Sequence, residues 1–573
     1  MERMSESLTP AAKLADLAER FWSFQCHEFP VLGIQAGIAA RDAVLMRESP
    51  ADHARRYTLA AGFLSELAGI STDRLTAQDR LTHRLLRREF DDLRVFYELC
   101  AHQRPSLYPM GPEFLTIQFA NTTSISRVDE ARLYADRLAT IPAFLSDLIE
   151  NLADGHAAGF RYPKRVLECA ARAVHASLTG PEDALPWNGP FKRTALTGSA
   201  VDKAARRARS IVSEQIVPAF AAYAEFLEGP LSAGARDSVS CMDSLDGEAF
   251  YRAWIRHYTT TDLRPQQIHD LGLAEVGRLT TEMEVIAEEA GYRGNLAGYR
   301  QHLASDPSCI APSKEALREQ IEILSKRIDL KIPAFFGRIP RSTYGVQSIP
   351  EAMSALSPPA YAQPNPADGS GPGVHWVTSL PHKAPSFMHV PLALHEAWPG
   401  HLMHLALIQE MDDLPAFRRY GALRYSACLE GWALYCERLG VEMGLYQTPH
   451  QHYGRLDMEI WRALRLVVDT GLHSQGWTRE RAIEFMSAHQ AMPRSTIESE
   501  VDRYISMPAQ ALAYQIGGLE FRRLRAQAER QLGERFDIRS FHDALMAAGP
   551  VTLPVLADVV EGYVQRELAG IRS

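Results

Sequence analysis

The sequence has few cysteines and no long apolar run. Its seven cysteines are odd in number, scattered, and include no C-x-x-C pair, which argues against a disulfide framework and against a cysteine-rich zinc site. No stretch of about 18 apolar residues is present, so no membrane-spanning helix is expected. The first residues also lack the apolar segment of a secretory signal. We therefore expect a cytoplasmic protein with reduced thiols and no membrane partner.

An excess of positive charge and two common hydrolase motifs are also missing. The 573 residues include 61 Lys and Arg against 70 Asp and Glu, a net charge of -9, whereas nucleic-acid-binding proteins usually present a basic patch. Neither the G-x-S-x-G motif of serine hydrolases nor the G-x-x-x-x-G-K-[ST] phosphate loop occurs. Nucleic acid is therefore not an expected partner, and serine-hydrolase and nucleotide-binding functions have no support.

Amphipathic helical patterns fill most of the chain. From about Ala11 to Glu228 the apolar residues recur at helical spacing, as in Asp79–His102. The segment Gly229–Asp246 is rich in Gly and Ser and lacks this period. It is the predicted boundary between an N-terminal helical region, residues 1–228, and a catalytic region, residues 247–573. A long loop within one continuous body is an open alternative.

Short strands are predicted within the second region. Ile332–Pro350 holds aromatic and β-branched residues between prolines, and Gly373–Leu380 reads G-V-H-W-V-T-S-L. The Pro- and Gly-rich segment Pro358–Gly373 is predicted to be loop. The strand at 373–380 could be a sheet edge to which an extended peptide adds, and its His375 is expected to be structural. The predicted fold is mostly α-helical: a large helical body with a small β-sheet next to a pair of active-site helices.

The stretch L-A-L-H-E-A-W-P-G-H-L-M-H, which begins at Leu392, concentrates metal-binding residues. His395 and Glu396 form the adjacent pair found in zinc hydrolases, where the histidine binds the metal and the glutamate takes a proton from water. The usual second histidine comes four residues after the first. Here Pro399 holds that position, and His401 follows six residues after His395.

A local distortion could restore the ligand spacing. Six residues correspond to about 600° of helical rotation, which would turn His401 away from the face of His395. Pro399 donates no backbone hydrogen bond and clashes with the preceding turn, while Gly400 tolerates a bulge. We therefore predict a zincin-like helix with a two-residue insertion looped out. The alternative is that Pro-Gly ends one helix and starts another, with the histidines as ordinary polar or core residues.

A carboxylate from the following helix would complete the site. Arg424–Glu442 has a helical period, and Glu430 and Glu437 are seven residues apart on nearly the same face. Catalytic zinc sites have three protein ligands and leave the fourth position to water. Glu430, 29 residues after His401, is the predicted third ligand. Glu437 would then accept a hydrogen bond from an imidazole N–H. Two alternatives are open: Glu437 is the third ligand instead of Glu430, or both carboxylates face solvent.

Four sequence blocks together resemble the bacterial DUF885 family. In order they are H-E-A-W-P-G-H, E-G-W-A-L-Y-C-E-R-L, R-L-V-V-D-T-G-L-H-S-Q-G-W-T and V-D-R-Y-I-S-M-P-A-Q-A-L-A-Y-Q-I-G, between about Leu392 and Gly517. Members of this family look like distant relatives of gluzincin-type zinc metallopeptidases. The resemblance therefore implies a metallohydrolase without fixing its substrate.

Three residues near the last block are candidates for contacting the substrate. Tyr514 is the first choice for the donor that stabilises the oxyanion formed when water attacks a carbonyl. Tyr504 is the second choice for that role, and Tyr504 and Arg503 are predicted to bind the substrate. A buried core position is the alternative for each tyrosine.

Four residues in or just before the third block have two interpretations each. Arg462 and Arg465 could hold a substrate carboxylate through bidentate contacts or could be solvated. Asp469 and His473, at positions i and i+4, could support the metal site or the oxyanion. We expect them to form a local structural pair.

The predicted function is zinc-dependent hydrolysis of a peptide or a small amide. His395, His401 and Glu430 would bind Zn²⁺, and Glu396 would be the general base. One alternative is a metal-dependent hydrolase of a non-peptide ester or amide. The other is a non-catalytic helical binding or scaffold protein, for which a base beside the metal would have no purpose. The sequence does not indicate an oligomeric state.

Overall fold

The computed structural model describes residues 8–36, 44–354, 357–367, 369, 371–490 and 492–570. The chain forms two compact units. The first comprises Met1–Ala253 and Glu500–Pro508, and the second comprises Trp254–Ser499 and Ala509–Ser573. The predicted fold class is confirmed, because helices dominate both units and one small sheet is present in the second. No helix in the described ranges is long and apolar enough to cross a membrane.

The first unit is helical. Its helices are α1 (Pro10–Glu28), α2 (Pro30–Gln35), α3 (Pro50–Ala68), α4 (Ala77–Glu98), α5 (Pro112–Thr122), α6 (Val128–Leu138), α7 (Ile141–Ala158), α8 (Lys164–Ser177), α9 (Gly189–Arg193), α10 (Ser199–Ile211), α11 (Val217–Phe226) and the first part of α12 (Gly247–Thr259). Helix α4 confirms the helix predicted at Asp79–His102, and a capping box of Thr76 with Asp79 sets its start. The boundary predicted at Gly229–Asp246 lies inside this unit, and the division into residues 1–228 and 247–573 stays a prediction.

The remaining helices lie in the second unit, except that α24 is divided between the two units. They are α13 (Pro265–Glu289), α14 (Leu296–Ser305), α15 (Lys314–Asp329), α16 (Ile332–Phe335), α17 (Glu351–Ser354), α18 (His389–Glu396), α19 (His401–Gln409), α20 (Ala416–Tyr420), α21 (Ser426–Glu442), α22 (Pro449–Ser474), α23 (Arg479–His489), α24 (Arg494–Ser506), α25 (Ala513–Leu532), α26 (Ile538–Ala548) and α27 (Leu553–Leu568). The chain passes between the units within α12 and α24. Helix α22 is buried along most of its length and forms the centre of this unit's core.

Two glycines allow helices α21 and α25 to cross in backbone contact. A Cβ added to Gly431 would overlap the backbone of Gly517, and one added to Gly517 would overlap the carbonyl oxygen of Ala427. Any larger side chain at either glycine would push the helices apart. Glu430, the predicted metal ligand, directly precedes Gly431. The close crossing of the two helices therefore also fixes the position of Glu430 along α21 relative to α25.

The small sheet differs from its prediction in two respects. Its order is β1 (Tyr344–Ser348), β3 (Gly373–Val377) and β2 (Ala360–Gln363), with β1 parallel and β2 antiparallel to β3. The prediction that Pro358–Gly373 is all loop is wrong, because β2 forms inside it. The prediction that the strand at 373–380 is a sheet edge is also wrong, because β3 is paired on both sides. In the predicted strand region Ile332–Pro350, the first residues form α16.

Candidate metal centre

The segment H-E-A-W-P-G-H does not form one bulged helix. Helix α18 ends at Glu396, and α19 begins at His401 after a four-residue connection. The last bond of the first helix runs from Ala397 N to Ala393 O (3.0 Å), and the second helix opens with His404 N donating to Gly400 O (3.1 Å). The predicted looped-out insertion is therefore replaced by a complete break, since Pro399 has no N–H with which to continue α18.

The break nevertheless brings the two histidines together. A Cβ on Gly400 would overlap the carbonyl oxygens of His395 and Leu394, so the connection folds back onto the end of α18 in a way that only glycine permits. The imidazole rings of His395 and His401 lie with centroids 4.8 Å apart and nearly perpendicular, at 87°. The Pro-Gly step thus achieves what the i, i+4 spacing achieves on a regular helix.

Helix α21 places Glu430 opposite both imidazoles. Its Oε2 lies 3.4 Å from His395 Nε2 and 3.5 Å from His401 Nε2. Around a tetrahedral zinc ion with ligand bonds of about 2.0–2.2 Å, two ligand atoms lie roughly 3.3–3.6 Å apart. The donor set of two imidazoles and a carboxylate, with all ligand atoms within 4.8 Å of one another, therefore fits a metal ion in size and chemistry.

Glu437 supports the site from the other side of His395. Its Oε1 is 2.7 Å from His395 Nδ1, and the side chain is buried. A hydrogen bond from Nδ1–H to a carboxylate leaves Nε2 as the free lone pair, which is the arrangement found behind metal-binding histidines. The structure thus places Glu430, and not Glu437, on the Nε2 side of both rings.

The site concentrates negative charge in a buried place. Burial alone would lower the pKa of His395, but hydrogen bonds with Glu430 and Glu437 raise it to about 9. Burial opposes ionisation of Glu430, yet the contacts with His395 and His401 hold its pKa well below the usual range. Burial also raises the pKa of Glu396, against the effect of the two histidines. The positive charge that these carboxylates need can come from a proton on His395, from a metal ion and, at Glu437, from Arg462, whose Nη2 lies 3.5 Å from Glu437 Oε1.

Trp432 fixes the connection between the two ligand helices. Its indole Nε1–H donates to Pro399 O at 2.9 Å in a buried position. The indole therefore ties α21, two residues beyond Glu430, to the turn that positions His401. The helical period of Arg424–Glu442 gives no signal of this role, because a tryptophan on such a helix is also an ordinary core residue.

We expect Trp432→Phe to lower the free energy of unfolding by about 1–3 kcal/mol, because the ring still packs but the buried Pro399 carbonyl loses its donor. Urea unfolding of the metal-free protein measures this. Trp376→Phe is the matched control, since its indole Nε1 donates to Gln363 Oε1 in an exposed bond, and its stability should change little. Equal stability of Trp432→Phe and the wild type would contradict the assigned role.

Tyr514 lies on α25 one helical turn before Gly517. Since Gly517 touches Gly431, this turn approaches the part of α21 that carries Glu430. The Tyr514 ring stacks on the guanidinium of Arg465, whose Cζ is 4.3 Å from the ring centroid. Its predicted role at the oxyanion stays a prediction.

Tyr504 and Arg503 belong to the segment Glu500–Pro508 of the first unit. The Tyr504 hydroxyl donates to Glu500 Oε2 at 2.8 Å, and Arg503 Nη1 lies 3.1 Å from Glu500 Oε1. Both side chains are therefore engaged within their own helix. Their predicted contact with substrate stays a prediction.

Two other histidines do not join the cluster. His404 is fully buried, with its ring centroid 5.9 Å from that of Trp432, and burial lowers its pKa to about 3. His375, on the central strand, is also buried, and burial lowers its pKa to about 4. Both rings are therefore neutral core groups at neutral pH, in agreement with the structural role expected for His375.

The polar residues of α22 between Arg455 and His473 are buried. Asp469 accepts hydrogen bonds from Ala509 N at 3.0 and 3.2 Å, where Ala509 adopts the left-handed conformation with φ of 66°. This contact gives Asp469 a structural role, whereas its predicted pairing with His473 stays a prediction. Arg462 and Arg465 are 5% and 4% exposed, so the interpretation of these arginines as solvated surface residues is wrong.

Comparisons with known proteins agree on family and fold. A family model described as "Bacterial protein of unknown function (DUF885)" matches residues 30–560, whereas no curated protein matches the sequence. The crystal structure of a "putative lipoprotein" from Colwellia psychrerythraea aligns with a TM-score of 0.90 and 27% identity, over 98% of this chain and 100% of that chain.

A second relative shares the fold at lower identity. The structure of a "putative lipoprotein of unknown function" from Shewanella oneidensis aligns with a TM-score of 0.74 and 17% identity, over 97% of this chain and 100% of that chain. Because the family model spans nearly the whole sequence, the chain belongs to the bacterial DUF885 family.

Proposed function

We propose that the protein is a zinc-dependent hydrolase that cleaves a peptide or a similar amide bond. The observation that carries this proposal is the spacing of His395, His401 and Glu430. The Oε2 atom of Glu430 lies 3.4 Å from His395 Nε2 and 3.5 Å from His401 Nε2. These distances match the edges of a tetrahedral zinc site. A hydrolase also needs a proton acceptor beside the metal, and Glu396 follows His395 directly.

The residues around the cluster suit hydrolysis by an activated water. A zinc ion bound by His395, His401 and Glu430 would supply a Lewis acid and lower the pKa of a water molecule. Glu396, half-buried at the end of α18, is proposed to take the proton of the attacking water and to give it to the leaving amine.

Tyr514 is the proposed donor to the oxyanion. A phenol can donate a hydrogen bond to the developing negative charge without changing its own protonation. Stacking on the buried Arg465 limits the directions in which the Tyr514 ring can point. The helix crossing at Gly431 and Gly517 supports this proposal, because it draws the turn that carries Tyr514 towards α21.

Elemental analysis followed by a substrate panel tests the proposal. We expect about one zinc per chain, and cleavage of peptides that stops with a chelator and returns when zinc is added. Cleavage of esters or non-peptide amides alone would keep the mechanism and change the substrate class. A protein that takes up no metal when zinc is supplied would overturn the proposal and favour the binding or scaffold alternative.

A further inference from the structure

We infer that Arg462 is a positioning residue that acts through Glu437 to hold His395 in the orientation and tautomer needed by the metal. This inference rests on the proposed function. The contacts run in one line: Arg462 Nη2 lies 3.5 Å from Glu437 Oε1, and the same oxygen lies 2.7 Å from His395 Nδ1. The cation is thus separated from the metal ligand by a single carboxylate.

The shared oxygen explains why an arginine is needed. Glu437 is 2% exposed, and a buried carboxylate with too little positive charge around it is costly. Glu437 must remain an acceptor so that His395 donates from Nδ1 and leaves Nε2 for the metal. The guanidinium of Arg462 places positive charge beside this carboxylate while its other terminal nitrogen bonds elsewhere.

A second hydrogen bond fixes the position of the Arg462 guanidinium. Arg462 Nη1 donates to Met458 O, one turn earlier on α22, at 2.8 Å. Helix α22 in turn packs on α18: Met458 shares an apolar cluster with Leu392, which is one turn before His395. Arg462 on α22 and His395 on α18 therefore belong to two helices that pack against each other within one turn of the site.

A role in clamping a substrate carboxylate fits these contacts less well. A bidentate clamp directs two N–H groups of one guanidinium edge at the same ligand. In Arg462 one terminal nitrogen is bonded to Met458 O and the other faces Glu437. Since the residue is also 5% exposed, its charge is directed at the protein interior.

Zinc affinity in a double-mutant cycle tests the inference. Competition with a chromophoric chelator measures the zinc Kd of the wild type, Arg462→Met, Glu437→Gln and the double variant. We expect Glu437→Gln to weaken zinc binding about 10- to 100-fold, Arg462→Met to weaken it about 10-fold, and the double variant to match Glu437→Gln. A residue that only stabilises the fold would not show this loss of additivity.

Two further variants separate positioning from folding. Arg418→Met is the matched control, because Arg418 is also buried and its Nη2 donates to a backbone oxygen, Ala548 O, at 2.8 Å; we expect a lower stability and an unchanged zinc Kd. Arg462→Lys keeps the charge but has one nitrogen in place of the two that contact Met458 O and Glu437, so we expect a zinc affinity between those of the wild type and Arg462→Met. It also provides the measurement if Arg462→Met does not fold.

The outcomes that overturn the inference differ from those that overturn the function. A zinc Kd in Arg462→Met or Arg462→Lys within twofold of the wild type, or losses that add in the double variant, would overturn the positioning role alone. A wild type that binds no zinc would overturn the proposed function and the inference with it.

Discussion

Glu396→Gln is expected to lower kcat by about 10²- to 10⁴-fold, the usual contribution of a general base, while zinc stays bound. Glutamine has the same shape and keeps a hydrogen-bonding side chain but cannot accept the proton of the attacking water. The metal is expected to remain because the ligand cluster consists of His395, His401 and Glu430. Steady-state cleavage of a peptide found in the substrate panel, together with elemental analysis of the same sample, measures both quantities.

A glutamate outside the site provides the control for this variant. Glu410, which follows the end of α19, accepts backbone hydrogen bonds from Arg341 and Ser342 at 2.8 and 3.2 Å. Glu410→Gln should keep full kcat. Unchanged kcat in Glu396→Gln would exclude Glu396 as the base, and loss of zinc in that variant would place it among the ligands.

His401→Ala is expected to remove the metal and, with it, activity. The change leaves His395 and Glu430 as the protein ligands, whereas catalytic zinc sites normally keep three. We expect the zinc content to fall from about one per chain to a small fraction of that value after dialysis against a weak chelator. Elemental analysis measures the content, and circular dichroism shows whether the helices remain.

The matched control for this variant lies on the same helix. His404 is buried three residues later, and neither of its ring nitrogens has a hydrogen-bond partner in the part of the chain that the structure describes. His404→Leu should therefore keep its zinc. Retention of zinc in His401→Ala, or its loss in His404→Leu, would show that the ligand set is assigned incorrectly.

The geometry at Glu430 and Glu437 follows closely from the sequence. Seven residues place two side chains on nearly the same helix face two turns apart, and the structure uses this spacing: Glu430 faces the Nε2 atoms and Glu437 faces Nδ1 of His395. The approach of His395 to His401 was also predicted, although from a two-residue bulge at Pro399-Gly400 and not from the break between two helices that the structure contains.

Other features depend on contacts between distant segments. Pro399 prevents α18 from continuing, but the shape of the connection after Glu396 is also set by the bond that the distant Trp432 donates to Pro399 O. Strand β2 forms in a Pro- and Gly-rich stretch because pairing with β3 overrides its weak local preference. The role inferred for Arg462 requires α21 and α22 to be adjacent, and a single sequence carries no direct signal of that.

The first unit contains a segment from much later in the chain, and this affects how the unit folds during protein synthesis. This unit includes Glu500–Pro508, and in that segment the buried Asp502 accepts two hydrogen bonds from Arg165, at 3.0 and 2.6 Å. N-terminal domains commonly fold while the rest of the chain is still being translated. A nascent chain that ends at Ala253 lacks Asp502, so we expect the bonds between Arg165 and this carboxylate to form only after residue 508 has been synthesised.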